Sequence, residues 1–196
     1  MKYLSKAIFL LKAMFNNSKV HPSIELRCPK NVKISYPIFL GENCKLLCWD
    51  EYSSGSKKQK LQPELILGSN IHATRDFVVQ CANKVCIGNN VLIASNVFII
   101  DYNHGLSPES VSYLDNQLDT DTVIIEDGVW IGNNVTILPG VIIGKKSIIA
   151  AGSVVTKSIP QYSIAAGNPA KVIKKYNINN RTWEKEENEG RLDEDI

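Results

Sequence analysis

The sequence predicts an all-β solenoid: short strands coiled around one aliphatic core, with a short helix at the N-terminus, an extruded loop at about 103–122 and a helical tail at the C-terminus. Three observations carry this. An aliphatic residue recurs at every sixth position through most of the chain, and Gly and Asn fall at fixed places between these residues. The rhythm then breaks within "IIDYNHGLSP" (99–108), for the twenty residues 103–122, and resumes at Val123.

The N-terminal "MKYLSKAIFLLKAMFNN" places Leu4, Ile8, Leu11 and Phe15 at helical spacing, with Lys2, Lys6 and Lys12 nearby. The run is broken by Lys12, is too short to span a bilayer, and is followed by no small-residue cleavage site. Residues 1–23 therefore form a helical segment, either packed on the domain or a neighbouring subunit, or lying on an anionic membrane surface.

The repeat occupies residues 24–175. Cys28, Ile34, Leu40 and Leu46 keep its phase loosely; Leu61, Leu67, Ala73 and Val79, then Ile87, Ile93 and Ile99, keep it well. From Ile125 it is strict: Ile131, Ile137, Ile143, Ile149, Val155. A period of six fits neither a helical stripe of 3.6 nor a simple strand alternation. It fits a short strand plus a corner, three of which make one triangular coil. Stacked coils bury a column that no single coil could bury alone. "IGNNVL" and "IGNNVT" are nearly the same hexad, and their Gly and Asn suit corners where positive φ is needed.

Three interruptions stand out. "CWDEYSSGSKKQK" (48–60) reads as a surface loop, and "NK" (83–84) as a bulged corner. The excursion from Asn103 to Thr122 is long for a compact solenoid and reads as a functional arm or a partner-clasping loop. Beyond it, residues 176–196 form an acidic tail; the last sixteen residues hold three basic and seven acidic side chains. A run of that kind is ordinarily a solvated helix or tail.

Composition excludes some functions. The chain has 196 residues, a formal charge of +2 and no Lys/Arg stripe with interleaved aromatics, which argues against nucleic acid. Its five cysteines lack paired metal-ligand spacing and read as small buried thiols of a reducing, cytoplasmic compartment.

With these hexads holding phase over about residues 24 to 175, the chain resembles the hexapeptide-repeat acyltransferases, whose fold is a left-handed parallel β-helix. Left-handedness is implied by that resemblance alone, since parallel crossovers are otherwise right-handed. Members are typically homotrimers with the active site between neighbouring prisms. The "DYNHG" at the break matches the D-x-x-H-G of the surface-polysaccharide sugar O-acetyltransferases, which implies that His104 is the catalytic base. Neutral imidazole suits the removal of a proton from an attacking hydroxyl. Asp101 either orients that imidazole, as in a triad, or caps the corner by an Asx turn. His72 and His21 read as outward-facing surface residues, and the H-x4-H zinc pair of related carbonic anhydrases is absent, so no metal is expected.

The resemblance also implies acetyl-CoA as co-substrate. Trp130 of "VWIG" would lie beside the catalytic groove. Ala150, Ala151 and Gly152 would lend backbone amides to the pantetheine arm, together with Thr156 and Lys157. Asn168, Lys171 and Lys174 of "AAGNPAKVIKK" would meet the nucleotide end, where lysines supply charge to phosphates. An asparagine that related enzymes place on an early coil is replaced here by "ATRDF", leaving Thr74 or Asp76, or a backbone amide, to meet the acceptor or the oxyanion. The function implied is O-acetylation of a sugar or surface-polysaccharide precursor. Serine O-acetylation, N-acylation of an amino sugar and a non-catalytic trimeric scaffold stand as alternatives.

Overall fold

In the computed structural model, residues 2–54 and 57–186 are described. After a helix over Lys2–Phe15, the chain visits three parallel sheets in strict rotation. The first sheet takes Lys19–Val20, Ile38–Glu42, Ile71–Arg75, Leu92–Ile93, Trp130–Ile131, Ile148–Ile149 and Ser163–Gly167. The second takes Glu25–Arg27, Lys45–Cys48, Val78–Cys81, Phe98–Ile100, Thr136–Ile137 and Val154–Val155. The third takes Val32–Ile34, Glu64–Leu67, Lys84–Ile87, Val123–Ile125 and Ile142–Ile143, with Ile159 bridging to Ile143.

Each side is short because one hexad supplies only two or three residues of strand before its corner. The sixth-position residues stack in register, as in Ala73, Ile93, Ile131, Ile149 and Ala165 on the first sheet, and all are buried. A second inward residue two places earlier, such as Val129, Val135 or Val141, fills the space behind each corner. Burying each Ile contributes about 1.5–3 kcal/mol, so the column as a whole, rather than any one coil, stabilises the prism.

The corners divide labour differently from the sequence expectation. In both "IGNN" hexads the second Asn, Asn90 or Asn134, takes positive φ (56° and 58°). The glycines serve close approach instead: a Cβ on Gly132 would lie 2.6 Å from the Ala151 nitrogen of the next coil. The first Asn ties coils together, as where Asn133 accepts from the Ser95 amide at 3.0 Å.

Two hairpins leave the edge between the second and third sheets. Residues 48–60, expected to be a loop, form an antiparallel ribbon of Glu51–Ser54 with Lys57–Lys60. The long excursion begins as Tyr102–His104 paired antiparallel with Leu118–Thr120, and a capped 3-10 turn spans Tyr113–Asp115. Leu61, which falls on the six-residue template, is only half-buried. It packs beside Trp49, Tyr52 and Tyr102 in a small cluster under these hairpins.

The expected helical tail is not found in its described part. Ala170–Asn177 pairs antiparallel with Ser163–Gly167 and then with Thr182–Lys185. The first sheet would otherwise end in an open edge, and strands satisfy its backbone where a helix would not. Residues 187–196, the rest of the expected tail, lie outside the described residues. Cys44, Cys48 and Cys81 are buried free thiols, as expected, whereas Cys28 and Cys86 are only half-buried; Cys81 is pushed far up by its hydrogen bond to Cys48 and by burial.

Candidate functional site

His104 sits half-buried at the base of the arm, opposite Leu118 in the ribbon. Gly105 follows it because a side chain there would collide with the Gln117 carbonyl, 2.9 Å from a notional Cβ. The loop is held at its neck by Asn116, whose amide donates to the carbonyls of Gly105 and Ser107. Further out, Leu106, Val111, Tyr113 and Leu114 are exposed.

Asp101 is fully buried, and its two carboxylate oxygens accept from the backbone amides of Ala82 (2.7 Å) and Asn83 (2.9 Å). Burial pushes its carboxyl above the usual range, against the pull of those amides. The carboxylate makes neither an Asx turn nor a bond to His104 among the described hydrogen bonds; it caps the adjacent coil at the "NK" bulge. The contact to His104 comes from elsewhere. Tyr52, on the 51–60 hairpin, places its hydroxyl 3.3 Å from Nδ1 of His104, and the two rings meet edge-on with centroids 5.4 Å apart. No sequence pattern singled out Tyr52, because it reaches His104 across fifty-two residues.

Two coils further toward the C-terminus, the same edge carries exposed Thr156 and Lys157. At about 4.8 Å per strand this is roughly 10 Å from the coil of His104. In the second sheet Thr136 and Leu138 donate their amides to the carbonyls of Ser153 and Val155. By the same alternation Val154 and Thr156 aim theirs beyond the last strand, where no described backbone group receives them. The amides of Ala150 and Gly152 are already committed to Ala165 and Asn133. Val154 and Thr156 are therefore open donors on this coil, as is Ala151, whose amide meets no described backbone acceptor, whereas Ala150 and Gly152 are not.

The remaining predicted residues lie elsewhere on the prism. Ala150, Ala151 and Gly152 turn the edge between the first and second sheets; Thr74, near the end of the strand Ile71–Arg75, and Asp76, just after it, stand at the same edge. Thr74 shares a 2.8 Å hydrogen bond with Ser95. Asp76 adopts positive φ, and the Arg75 guanidinium, then Asn43, hold its carboxyl below the usual range. Trp130 is 48% exposed on the outer face of the first sheet, in line with His72, Leu92, Ile148 and Ile164. His72 is stacked on Phe39, and His21 bonds Ser23, so both are surface residues with local partners.

At the C-terminal end a bulge between Ile164 and Ala165 changes the register. Val172 then pairs with inward Ala165, and Lys171 and Lys174 pair with outward Ala166 and Ile164. Two lysines three residues apart thereby share one face, beside the exposed Asn168 turn. Among the described residues no group of three His, Cys, Asp or Glu could hold a metal. Within one chain, then, His104 and Thr156–Lys157 share one edge, while Trp130, Lys171 and Lys174 occupy the first sheet.

Comparison with known proteins identifies the family. The family model described as bacterial transferase hexapeptide (six repeats) matches residues 122–157. A protein of Escherichia coli (strain K12) named for lipopolysaccharide biosynthesis O-acetyl transfer, WbbJ, is 34% identical over 193 residues, covering 93% of this chain and 91% of that one. Galactoside O-acetyltransferase of Lactococcus lactis is 31% identical over 180 residues, covering 90% and 79%. Among solved structures, AntD, an N-acyltransferase from Bacillus cereus in complex with dTDP and coenzyme A, superposes with a TM-score of 0.66 at 19% identity, covering 86% and 89%. That likeness concerns the fold. The match to WbbJ along nearly the whole of both chains places this protein in the hexapeptide-repeat acetyltransferase family.

Proposed function

We propose that this enzyme moves the acetyl group of acetyl-CoA to a hydroxyl of a sugar or surface-polysaccharide precursor, with His104 as general base. The observation that carries the reading is the position of His104, half-buried where the arm leaves the prism and two coils from the open amides of Val154 and Thr156. Those amides suit the carbonyls of an extended pantetheine arm, and Lys171 and Lys174 suit the phosphates. The relatives named for lipopolysaccharide and galactoside O-acetylation support a sugar acceptor.

In the reaction, imidazole takes the hydroxyl proton as the oxygen attacks the thioester carbonyl. The carbon–sulfur bond then breaks, and the imidazolium returns the proton to the departing coenzyme A thiolate. Of the two early-coil candidates, Thr74 fits the oxyanion better, because Asp76 is anionic and engaged with Arg75.

The separation of these groups over two edges supports a homotrimer whose site lies between subunits. Its apolar faces are available: Ile66, Cys86, Ile124 and Ile142 line the third sheet outside, and Leu92, Trp130, Ile148 and Ile164 the first. Packing one face against the other is heterologous and closes by rotation, which sedimentation of the native protein tests. The prism is the left-handed form of its family, and the 103–122 arm is a wall of the acceptor pocket.

We place the enzyme in the cytoplasm, at the inner face of the membrane. Phe9 and Ala13 of the N-terminal helix pack onto the end of the prism, which leaves Leu4, Ile8, Leu11 and Phe15 exposed on the opposite side. Lys12 borders that apolar side, whereas half-buried Lys6 lies toward the packed side, and the first acidic residue of the chain is Glu25. No described helix is long and apolar enough to cross a membrane. A helix with one packed face and one apolar, lysine-flanked face suits an anionic bilayer surface.

The decisive experiment is thiol release from acetyl-CoA across a panel of sugars and glycan precursors, beside His104→Ala. Acceptor-dependent release that falls about 10²-fold or more in the variant is expected. Release only with amine acceptors would move the reading to N-acylation, and release only with serine to serine O-acetylation. Absence of acetyl-CoA binding would leave a scaffold.

A further inference from the structure

The tautomer of His104 follows from a proton count at Tyr52. A phenol carries one hydrogen, and a carbonyl oxygen only accepts. The Tyr52 hydroxyl lies 2.5 Å from the Leu114 carbonyl oxygen, so its hydrogen is committed there. Toward Nδ1 of His104, 3.3 Å away, the same oxygen has only lone pairs to offer. Nδ1 must therefore carry the hydrogen of the neutral ring, which leaves Nε2 with the bare lone pair that a base requires.

The hairpin holds this arrangement from several points. Ser54 donates to Asp115 at 2.9 Å, one residue beyond Leu114. Gln59 grips Leu118 from both sides, donating to its carbonyl at 3.0 Å and accepting from its amide at 2.7 Å. Leu118 is the cross-strand partner of His104, so the ribbon carrying the base and the turn carrying the Leu114 carbonyl are both fixed to the Tyr52 hairpin.

We propose that Tyr52 is a positioning residue: its hydroxyl, polarised by the Leu114 carbonyl, accepts from Nδ1–H of His104 and so presents Nε2 to the acceptor hydroxyl. The 51–60 hairpin is then part of the active site rather than a surface insertion. In the attack, the Nδ1–H contact persists while Nε2 gains the proton, so the tyrosine oxygen faces the positive ring as it forms. This inference rests on the reading of His104 as base.

The experiment is long-range ¹H–¹⁵N correlation on the full chain labelled at histidine, with His104→Ala identifying the signal among three histidines. In the wild type, Nδ1 of neutral His104 is expected to be the protonated nitrogen and Nε2 the bare one. Tyr52→Phe, which keeps the ring and its edge contact, is expected to shift the tautomer toward Nε2–H. It is also expected to lower kcat about tenfold, the worth of one hydrogen bond, with KM for acetyl-CoA unchanged. An Nε2–H tautomer in the wild type would overturn the proposal without needing any variant. So would a Tyr52→Phe enzyme with unaltered tautomer and kcat. Retained turnover in His104→Ala would remove the base and with it the catalytic role of Tyr52. The wild-type tautomer then separates that failure from a mistaken contact.

Discussion

Replacing Asp101 by alanine separates the two roles open to this residue. The carboxylate is the acceptor for the buried Ala82 amide at 2.7 Å and for the Asn83 amide at 2.9 Å. Alanine leaves both donors without a partner, and each unsatisfied amide costs about 1–3 kcal/mol. A combined loss near 3 kcal/mol lowers Tm by about 6–12 °C at this chain length. Catalysis should fall much less, because the contact to Nδ1 of His104 is made by Tyr52 and not by Asp101. We expect kcat within about tenfold of wild type well below the transition, whereas loss of an orienting carboxylate in a triad costs about 10⁴. Thermal melting at matched protein concentration, paired with turnover in the cold, reads both quantities. A fall in kcat beyond 10³ with an unchanged Tm would refute the structural role.

The same pair of proteins has a signed pH dependence. Burial raises the Asp101 carboxyl, so the folded chain holds a proton at pH values where the unfolded chain has released it. The stability tied to that proton is complete below the unfolded carboxyl value and is lost as pH rises through the folded one. The gap between wild type and Asp101→Ala in urea midpoints should therefore narrow as pH rises from about 4.

Two further outcomes are accessible. Lys171→Ala with Lys174→Ala should weaken coenzyme A binding roughly tenfold, with little change in kcat at saturation and a smaller effect at high salt; unchanged donor affinity in titration calorimetry would remove both lysines from the phosphate site. The wild-type protein should sediment with vesicles containing anionic lipid, and Leu4→Ser with Phe15→Ser should abolish this. Equal binding by the variant, or a changed oligomeric state, would assign the apolar helix face to something other than the bilayer.

Some features of the site were written locally and could be recognised along the chain. "DYNHG" marks the one place where twenty residues interrupt the hexads, and Lys171 and Lys174 close the repeat. Other features depended on which coil lies above which. Ala150 has a committed amide because the first sheet continues past its coil with Ser163–Gly167, Gly152 donates back to Asn133 of the preceding coil, and Val154 and Thr156 are open because the second sheet ends with their strand. The bulge at Ile164 that sets both lysines on one face leaves no mark in composition or period. The helical tail is not found in its described part because charge alone does not distinguish a solvated helix from an exposed edge strand such as Thr182–Lys185, and the open sheet edge decided between them.

By itself the sequence determined the prism. An aliphatic residue at every sixth position buries correctly in only one kind of coil, and the signal is one-dimensional, so Ile125, Ile131 and Ile137 announce three sides without reference to anything distant. It also determined where the prism is interrupted. Only the tertiary structure decided what the interruptions do. Asp101 meets amides nineteen and eighteen residues away, and Tyr52 meets a histidine fifty-two residues away. The Asp101 separations span one regular coil of three hexads, whereas the Tyr52 separation includes part of an inserted hairpin, which obeys no period. Stacking brings such residues together, the Asp101 carboxylate onto two backbone amides and the Tyr52 hydroxyl beside the His104 ring, because each group goes where its hydrogen-bond partner is left open by the coil above or below.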